Sequence, residues 1–158
     1  MEKVFLTWKD IEDKISIITS QIRSSGNKID CIIAIGRGGM VPARLLADSM
    51  NIHTLYMYPV KLYEDNKMHK SEKGISLESF KHDIEGKNCL LVDDIYDTGE
   101  TIITTINELV YNKFKSLKIA TLMSFETKLD YCGELLNSTI EKRWYVFPWE
   151  ISEFKEGK

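Results

Sequence analysis

Apolar positions Ile11, Ile15, Ile18 and Ile22 recur at helical spacing and stop at Gly26, and Thr7 with Asp10 forms a capping box in which Asp replaces Glu. One amphipathic helix is predicted there. Cys31-Ile32-Ile33-Ala34-Ile35 is instead an uninterrupted, mostly β-branched run ending at Gly36, the pattern of a strand covered on both faces. From Met40 to about Met50 the spacing is helical again, with Pro42 in a first turn that tolerates it, and His53 to Tyr58 reads as a second strand. Cys89-Leu90-Leu91-Val92 is a third buried strand, expected to stop at Asp93-Asp94, and Thr101 to about Tyr111 carries Ile102, Ile106 and Leu109 as a helix. Lys118 to Ser124 makes a fourth strand. The fifth is expected at Trp144-Tyr145-Val146-Phe147, broken by Pro148. Strands alternating with helices predict an α/β fold with a mainly parallel sheet and right-handed crossovers.

The stretch between Tyr58 and Cys89 leaves that rhythm: Lys61, Glu64, Asp65, Lys67, His69, Lys70, Glu72 and Lys73 precede the next apolar anchors at Leu77 and Phe80. Connections longer than roughly 12–15 residues are uncommon in compact domains and are either lids or disordered segments. A lid over about residues 60–86 is the expectation.

Composition narrows the picture without redirecting it. With 158 residues, 43% apolar and 28% charged, the chain has the profile of one ordinary globular domain, taken as residues 1–158. Such a domain buries roughly two-thirds of its unfolded surface, enough for a core without metal or disulfide staples. Twenty-one basic against 24 acidic residues give a net charge of −3, which disfavours a nucleic-acid partner and makes any anion site local. The odd cysteine count, with Cys31 and Cys89 opening buried runs, fits reduced thiols and a cytoplasmic location. No apolar run approaches the roughly 18 residues of a membrane span, and the charged first ten residues leave no room for a signal-peptide core. His53, His69 and His82 share no helix face and no Cys-x-x-Cys occurs, which disfavours a dedicated zinc site.

The chemistry concentrates in Leu90-Leu91-Val92-Asp93-Asp94-Ile95-Tyr96-Asp97-Thr98-Gly99-Glu100-Thr101, where three aspartates and a glycine stand between a strand and a helix. In a parallel sheet the carboxyl ends of the strands open on the ligand crevice. Residues 97–101 can present several backbone amides and two hydroxyls at a helix N-terminus, a cradle for phosphate into which Gly99 admits close approach. Acids beside a phosphate need another task, and a divalent cation or a vicinal diol supplies one. Successive strand residues point to opposite faces, so Asp93 and Asp94 converge on one ligand only where the strand bends or ends. Each aspartate alone is equally at home as a turn or cap residue.

A second turn, Gly36-Arg37-Gly38-Gly39, also joins a buried strand to a helix. Its amides can wrap a diphosphate, and Arg37 offers a permanently charged planar fork to the oxygens. Alone it is a tight turn as readily as an anion site. It is not a dinucleotide fingerprint, because the third glycine would fall at Val41.

Together the two segments carry a resemblance. Residues 90–101 resemble the phosphoribosyl-diphosphate motif of the type I phosphoribosyltransferases, and Ile35 to Ala43 is similar to the pyrophosphate loop of the xanthine-guanine and other six-oxopurine members. The resemblance implies that family's fold, a five-stranded, mainly parallel sheet flanked by helices, with a small hood from the chain termini, its C-terminal elements at about residues 125–158. It implies Mg²⁺-dependent transfer of a phosphoribosyl group from phosphoribosyl diphosphate to a nucleobase, expected to be a purine, with release of pyrophosphate, as in nucleotide salvage. Asp93 and Asp94 would hold the ribose hydroxyls, with Asp94 beside the metal. Thr98, Gly99, Glu100 and Thr101 would hold the 5′-phosphate, and Arg37, Gly38 and Gly39 the pyrophosphate. Asp97 would be the catalytic residue, assisting proton movement at the base. Trp144 would stack on the base and the main chain of Tyr145 would meet its edge, while Lys67 or Lys70 of the lid would touch pyrophosphate.

In one respect the chain departs from the family pattern. The lysine usual directly after the fourth strand is Phe125 here, so Lys128, three residues on, is the base-binding lysine expected. Family members are commonly dimers or tetramers, which implies a homo-oligomer. Two other readings stay open: a nucleotide-sensing regulator on the same fold, and a phosphoacceptor signalling domain. The first would need a nucleic-acid surface that the composition does not show, and the second has no use for Gly36–Gly39 or for the turn at 97–101.

Overall fold

A computed structural model describes residues 2–59, 81–137, 143–150 and 152. In chain order the elements are β1 (Lys3–Phe5), α1 (Trp8–Ser25), β2 (Cys31–Gly36), α2 (Met40–Met50), β3 (Leu55–Pro59), α3 (Lys81–Ile84), β4 (Asn88–Tyr96), α4 (Glu100–Leu109), β5 (Ser116–Ser124), β6 (Tyr131–Leu135) and β7 (Trp144–Val146). Five strands form a sheet in the order β3-β2-β4-β5-β6, and every pairing in it is parallel.

Alternation along the strands builds two cores. Ile32, Ala34, Leu90, Val92, Ala120 and Leu122 face α1 and α2, whereas Cys31, Ile33, Ile35, Cys89 and Leu91 face Ile84 of α3 and Ile102 and Leu109 of α4. A sheet covered on both sides explains why these strands read as continuous apolar runs. Each fully buried Leu or Ile contributes roughly 1.5–3 kcal/mol before ordering entropy is subtracted. Cys31 and Cys89 are register partners with their sulfurs 3.3 Å apart, and both are free thiols packed as small apolar groups.

Helix α1 begins as its sequence requires. The Thr7 hydroxyl accepts the Asp10 amide at 3.2 Å, Asp10 accepts the Thr7 amide at 2.7 Å, and Gly26 ends the helix at φ 70°.

The fifth strand of the main sheet is not Trp144–Phe147 but Tyr131–Leu135. Gly133 hides it in the sequence, yet Gly133 is what lets α1 close on the sheet: a Cβ there would stand 2.6 Å from the Lys14 Cβ and 2.7 Å from the Leu122 carbonyl oxygen. Gln21 of α1 then closes the strand's open edge, its amide nitrogen donating to the Cys132 carbonyl and its amide oxygen accepting from the Cys132 amide, each at 2.9 Å. Trp144–Val146 pairs instead with Lys3–Phe5 in a separate two-stranded parallel sheet, which ties the two ends of the chain together. Trp149 stacks on Phe147 at 4.9 Å and meets Trp8 at 6.0 Å, so the turn after β7 is held against the first turn of α1. Among the described residues no helix is long and apolar enough to cross a membrane.

Candidate functional site

The sheet order places the site. From β2 the chain moves through α2 outward to β3, and from β4 through α4 to β5 on the other side, so the strand order reverses between β2 and β4. Parallel sheets bind ligands outside the carboxyl ends of the strands at such a point. The β2–β4 ladder runs from Cys31↔Cys89 only to Ala34↔Val92, while β4 and β5 stay paired to Tyr96↔Ser124. The crevice so opened receives both segments singled out in the sequence.

Strand β4 does not stop at Asp93-Asp94 as expected; it continues to Tyr96 because β5 pairs with it that far. It does turn there. Val92 and Ile95, an odd number of positions apart, both pack into the core under α1 and α2, which a regular strand forbids. The β5 ladder skips Asp94, and the two freed amides are taken by the aspartates themselves: Asp93 accepts from the Asp94 amide at 2.9 Å and Asp94 from the Ile95 amide at 2.7 Å. The carboxylates thereby supply the bend that convergence on one ligand requires.

Both acids are costly to ionise. Burial, followed by the charge of Asp94, raises the Asp93 carboxyl well above the ordinary carboxylate range. Burial pushes Asp94 up to about 6, and the charge of Glu150, in the turn after β7, adds to it. Glu150 is fixed by a short loop in which its carboxylate accepts the Phe147 amide at 3.0 Å and its own amide donates to the Phe147 carbonyl at 2.9 Å. No lysine or arginine forms an ion pair with Asp93 or Asp94 among the described residues. Two half-compensated carboxylates of this kind are a donor set for a divalent cation, which needs one or two carboxylates and completes its shell with substrate oxygens.

The glycine turn lies against this pair. A Cβ on Gly38 would run into the Asp94 carboxyl group, and one on Gly39 would collide with the Val92 carbonyl and stand 2.8 Å from that of Ile35. The Gly36–Arg37 peptide is cis. Gly39 donates to the Ile35 carbonyl at 2.8 Å and starts α2 without a side-chain cap, and Gly99, at φ 81°, starts α4 in the same way. The helix that opens away from the crevice, α1, has a complete capping box; the two that open at it have no side-chain bond from their N-cap residue. Their first amides are held locally, Met40 by the Arg37 carbonyl at 3.1 Å and Glu100 by the Thr98 hydroxyl at 3.4 Å. Because the three atoms nearest the missing Gly39 Cβ are all backbone, none of them yields as a side chain would. Gly39→Ala is expected to destabilise the fold by about 1–3 kcal/mol, read as a lower denaturant midpoint at unchanged slope.

Arg37, Asp97, Thr98 and Glu100 are exposed around these turns, Gly99 is buried and Thr101 is half-buried. Lys128 is exposed in the turn after β5, where its amide donates to the Glu126 carboxylate at 3.0 Å. Trp144 is exposed on β7 and Tyr145 packs against the main core. The lid, with Lys67 and Lys70, lies mostly outside the described residues. Glu150, which no sequence pattern assigned to the site, is brought to it by the turn after β7.

A parallel sheet with an acidic bend facing a glycine turn and an uncapped helix start is the layout of a site for a phosphorylated ligand. Over residues 3–152 the chain matches the family described as the phosphoribosyl transferase domain, and it belongs to that family. It is 34% identical to the xanthine-guanine phosphoribosyltransferase of Desulfotalea psychrophila over 119 residues, 75% of this chain and 69% of that protein. The hypoxanthine-guanine phosphoribosyltransferase of Saccharomyces cerevisiae is 27% identical, covering 96% of this chain and 87% of its own. The crystal structure of the purine phosphoribosyltransferase from Pyrococcus horikoshii Ot3 superposes with a TM-score of 0.75 at 30% identity, covering 94% of this chain and 95% of that one.

Proposed function

We propose that this chain transfers the 5-phosphoribosyl group of phosphoribosyl diphosphate to a ring nitrogen of a purine base in a Mg²⁺-dependent reaction that releases pyrophosphate and yields a salvaged nucleotide. The observation that supports this most is the contact of Gly38 with the Asp94 carboxyl group, which joins the glycine turn and its Arg37 to an acidic pair at one crevice mouth.

In this reading the amides and hydroxyls of Thr98 to Thr101 hold the 5′-phosphate at the start of α4, and Asp93 and Asp94 accept hydrogen bonds from the ribose hydroxyls. Arg37 and the Gly38 amide grip the diphosphate and stabilise the negative charge that builds on it as the anomeric carbon–oxygen bond breaks. The Gly39 amide, held by the Ile35 carbonyl, keeps the turn in shape, and the absence of a side chain there lets the diphosphate approach. Asp94, with Asp93 behind it, is the residue that would hold Mg²⁺. When bound, the cation supplies further positive charge to the departing diphosphate. Asp97, just beyond the end of β4, takes or relays the proton of the attacking base nitrogen. Trp144 offers a stacking face worth about 1–3 kcal/mol per base, and the backbone of Tyr145 offers an edge.

The names of the relatives put hypoxanthine, guanine and xanthine first among bases to try. Phe125 stands directly after β5 with its amide given to the Tyr96 carbonyl at 3.0 Å, and its side chain offers no donor to a six-oxo group, so that contact falls to Lys128 or to main chain.

The test is incubation with phosphoribosyl diphosphate, Mg²⁺ and, in turn, each of the three oxopurines, adenine and uracil, following pyrophosphate and nucleotide together. Equal amounts of pyrophosphate and one purine nucleotide are expected, with neither product when the base is omitted or the metal is chelated. Nucleotide binding without turnover on any base would favour the regulator instead.

A further inference from the structure

Tyr96 closes β4, and its place is fixed from both sides: it is register partner to Ser124, and its carbonyl accepts the Phe125 amide at 3.0 Å. Its ring packs against the core that faces α4. The far end of that ring reaches Gly99, where the position a Cβ would take is already filled by the tyrosine hydroxyl and Cζ, with Cε1 2.8 Å away. Gly99 is buried, stands at φ 81° and starts α4 without a side-chain cap. Its neighbours Asp97, Thr98 and Glu100 are exposed.

We propose that Tyr96 is a positioning residue for the phosphate turn, its ring fixing Gly99 and through it the amides of residues 98–101. The proposal rests on the function proposed above. Glycine has the widest choice of backbone conformations. The Ile103 amide holds the Gly99 carbonyl at 2.8 Å and the Thr98 hydroxyl takes the Glu100 amide at 3.4 Å, but the side-chain packing nearest the open side of Gly99 is the Tyr96 ring. Amides that grip an oxyanion must be held to roughly half an ångström, so the residue that removes Gly99's freedom sets the quality of the site. Tyr96 does this twice over, by touching the Cα and by occupying the only space into which a side chain at position 99 could grow. The ring carries the role, and the hydroxyl only extends its reach.

The test is backbone amide NMR of the full chain, titrated with ribose 5-phosphate and, separately, with inorganic pyrophosphate, for wild type, Tyr96→Phe and Tyr96→Ala. Wild type and Tyr96→Phe are expected to move the amides of residues 98–101 at affinities within about twofold, and Tyr96→Ala to bind ribose 5-phosphate about tenfold more weakly, the size of one misaligned charge-assisted hydrogen bond. Pyrophosphate should reach Arg37–Gly39 equally in all three, a selectivity that general loosening of the fold would not give. Should Tyr96→Ala melt below the working temperature, Tyr96→Leu, which fills the core but ends short of Gly99, replaces it with the same expected loss. Undiminished binding by the shortened side chain would overturn the proposal, and so would an equal loss in Tyr96→Phe, which would make the hydroxyl a ligand. If ribose 5-phosphate leaves the wild-type turn unmoved while Tyr96→Ala displaces its amides without ligand, the positioning stands and the phosphate assignment fails.

Discussion

Asp97→Asn is expected to lower kcat by about 10²-fold or more while leaving the KM for phosphoribosyl diphosphate within a few-fold of wild type, the scale of general acid–base assistance. The substitution keeps the size of the side chain and one oxygen, and removes only its ability to gain and lose a proton. Asp97 lies one residue beyond β4, after the strand has passed buried Asp93 and half-buried Asp94 and before the amides of α4 begin. It is exposed, so its replacement should leave the melting temperature nearly unchanged. Steady-state kinetics with the base that yields product, together with a thermal melt, separate the effects. A kcat equal to that of wild type removes Asp97 from the chemistry.

Asp94→Asn should act in two opposite directions. Asparagine keeps an oxygen for the Ile95 amide, so the bend in β4 survives. The half-buried charge is lost, and with it the cation ligand proposed above, so turnover should fall by about 10²-fold or more, comparable to the loss of a preorganised electrostatic group. Stability should rise. Burial pushes the Asp94 carboxyl up to about 6 from its ordinary 3.8, so the folded state holds the proton more tightly than the unfolded state does. The stabilising contribution of that proton is complete below the unfolded value and is lost as pH rises through the folded one. Ligand-free wild type therefore weakens between about pH 4 and pH 6, and the asparagine variant does not. At pH 7.5 the variant should be more stable by roughly 2 kcal/mol, and near pH 4 the two should coincide. Denaturant melts across that range check the sign, and a variant less stable than wild type at pH 7.5 contradicts it. Mg²⁺ with phosphoribosyl diphosphate should reverse the order, because a ligand that binds only the folded state stabilises it.

Long apolar runs and helical periodicity were legible because burial on both faces of the sheet leaves no other composition for its strands. β2, β4 and β5 were placed within two residues at their starts, and α1 to the residue at its Gly26 stop. The boundary of β4 was misjudged for an identifiable reason. Asp93 and Asp94 look like strand breakers, yet each accepts the amide of the residue after it, and β5 carries the pairing beyond them. β6 was invisible because its centre is Gly133 and its edge partner is the Gln21 side chain, a tertiary arrangement without local signature. The aromatic run at Trp144 is a genuine strand, but its partner is β1 at the other end of the chain, and three residues there carry no period. The turns at 36–39 and 97–101 stood out more readily than the topology, since each is contiguous in sequence. What contiguity does not show is that Gly38 packs on Asp94, that Glu150 lends its charge to the same carboxylate, and that Tyr96 reaches forward to Gly99.

The most direct measurement is a crystal of the chain soaked with phosphoribosyl diphosphate and Mg²⁺. The 5-phosphate is expected on the amides of residues 98–101, the ribose hydroxyls at Asp93 and Asp94, and the diphosphate along Arg37, Gly38 and Gly39. An empty crevice at saturating ligand, or the sugar bound anywhere other than between those two turns, would contradict the function proposed for this fold.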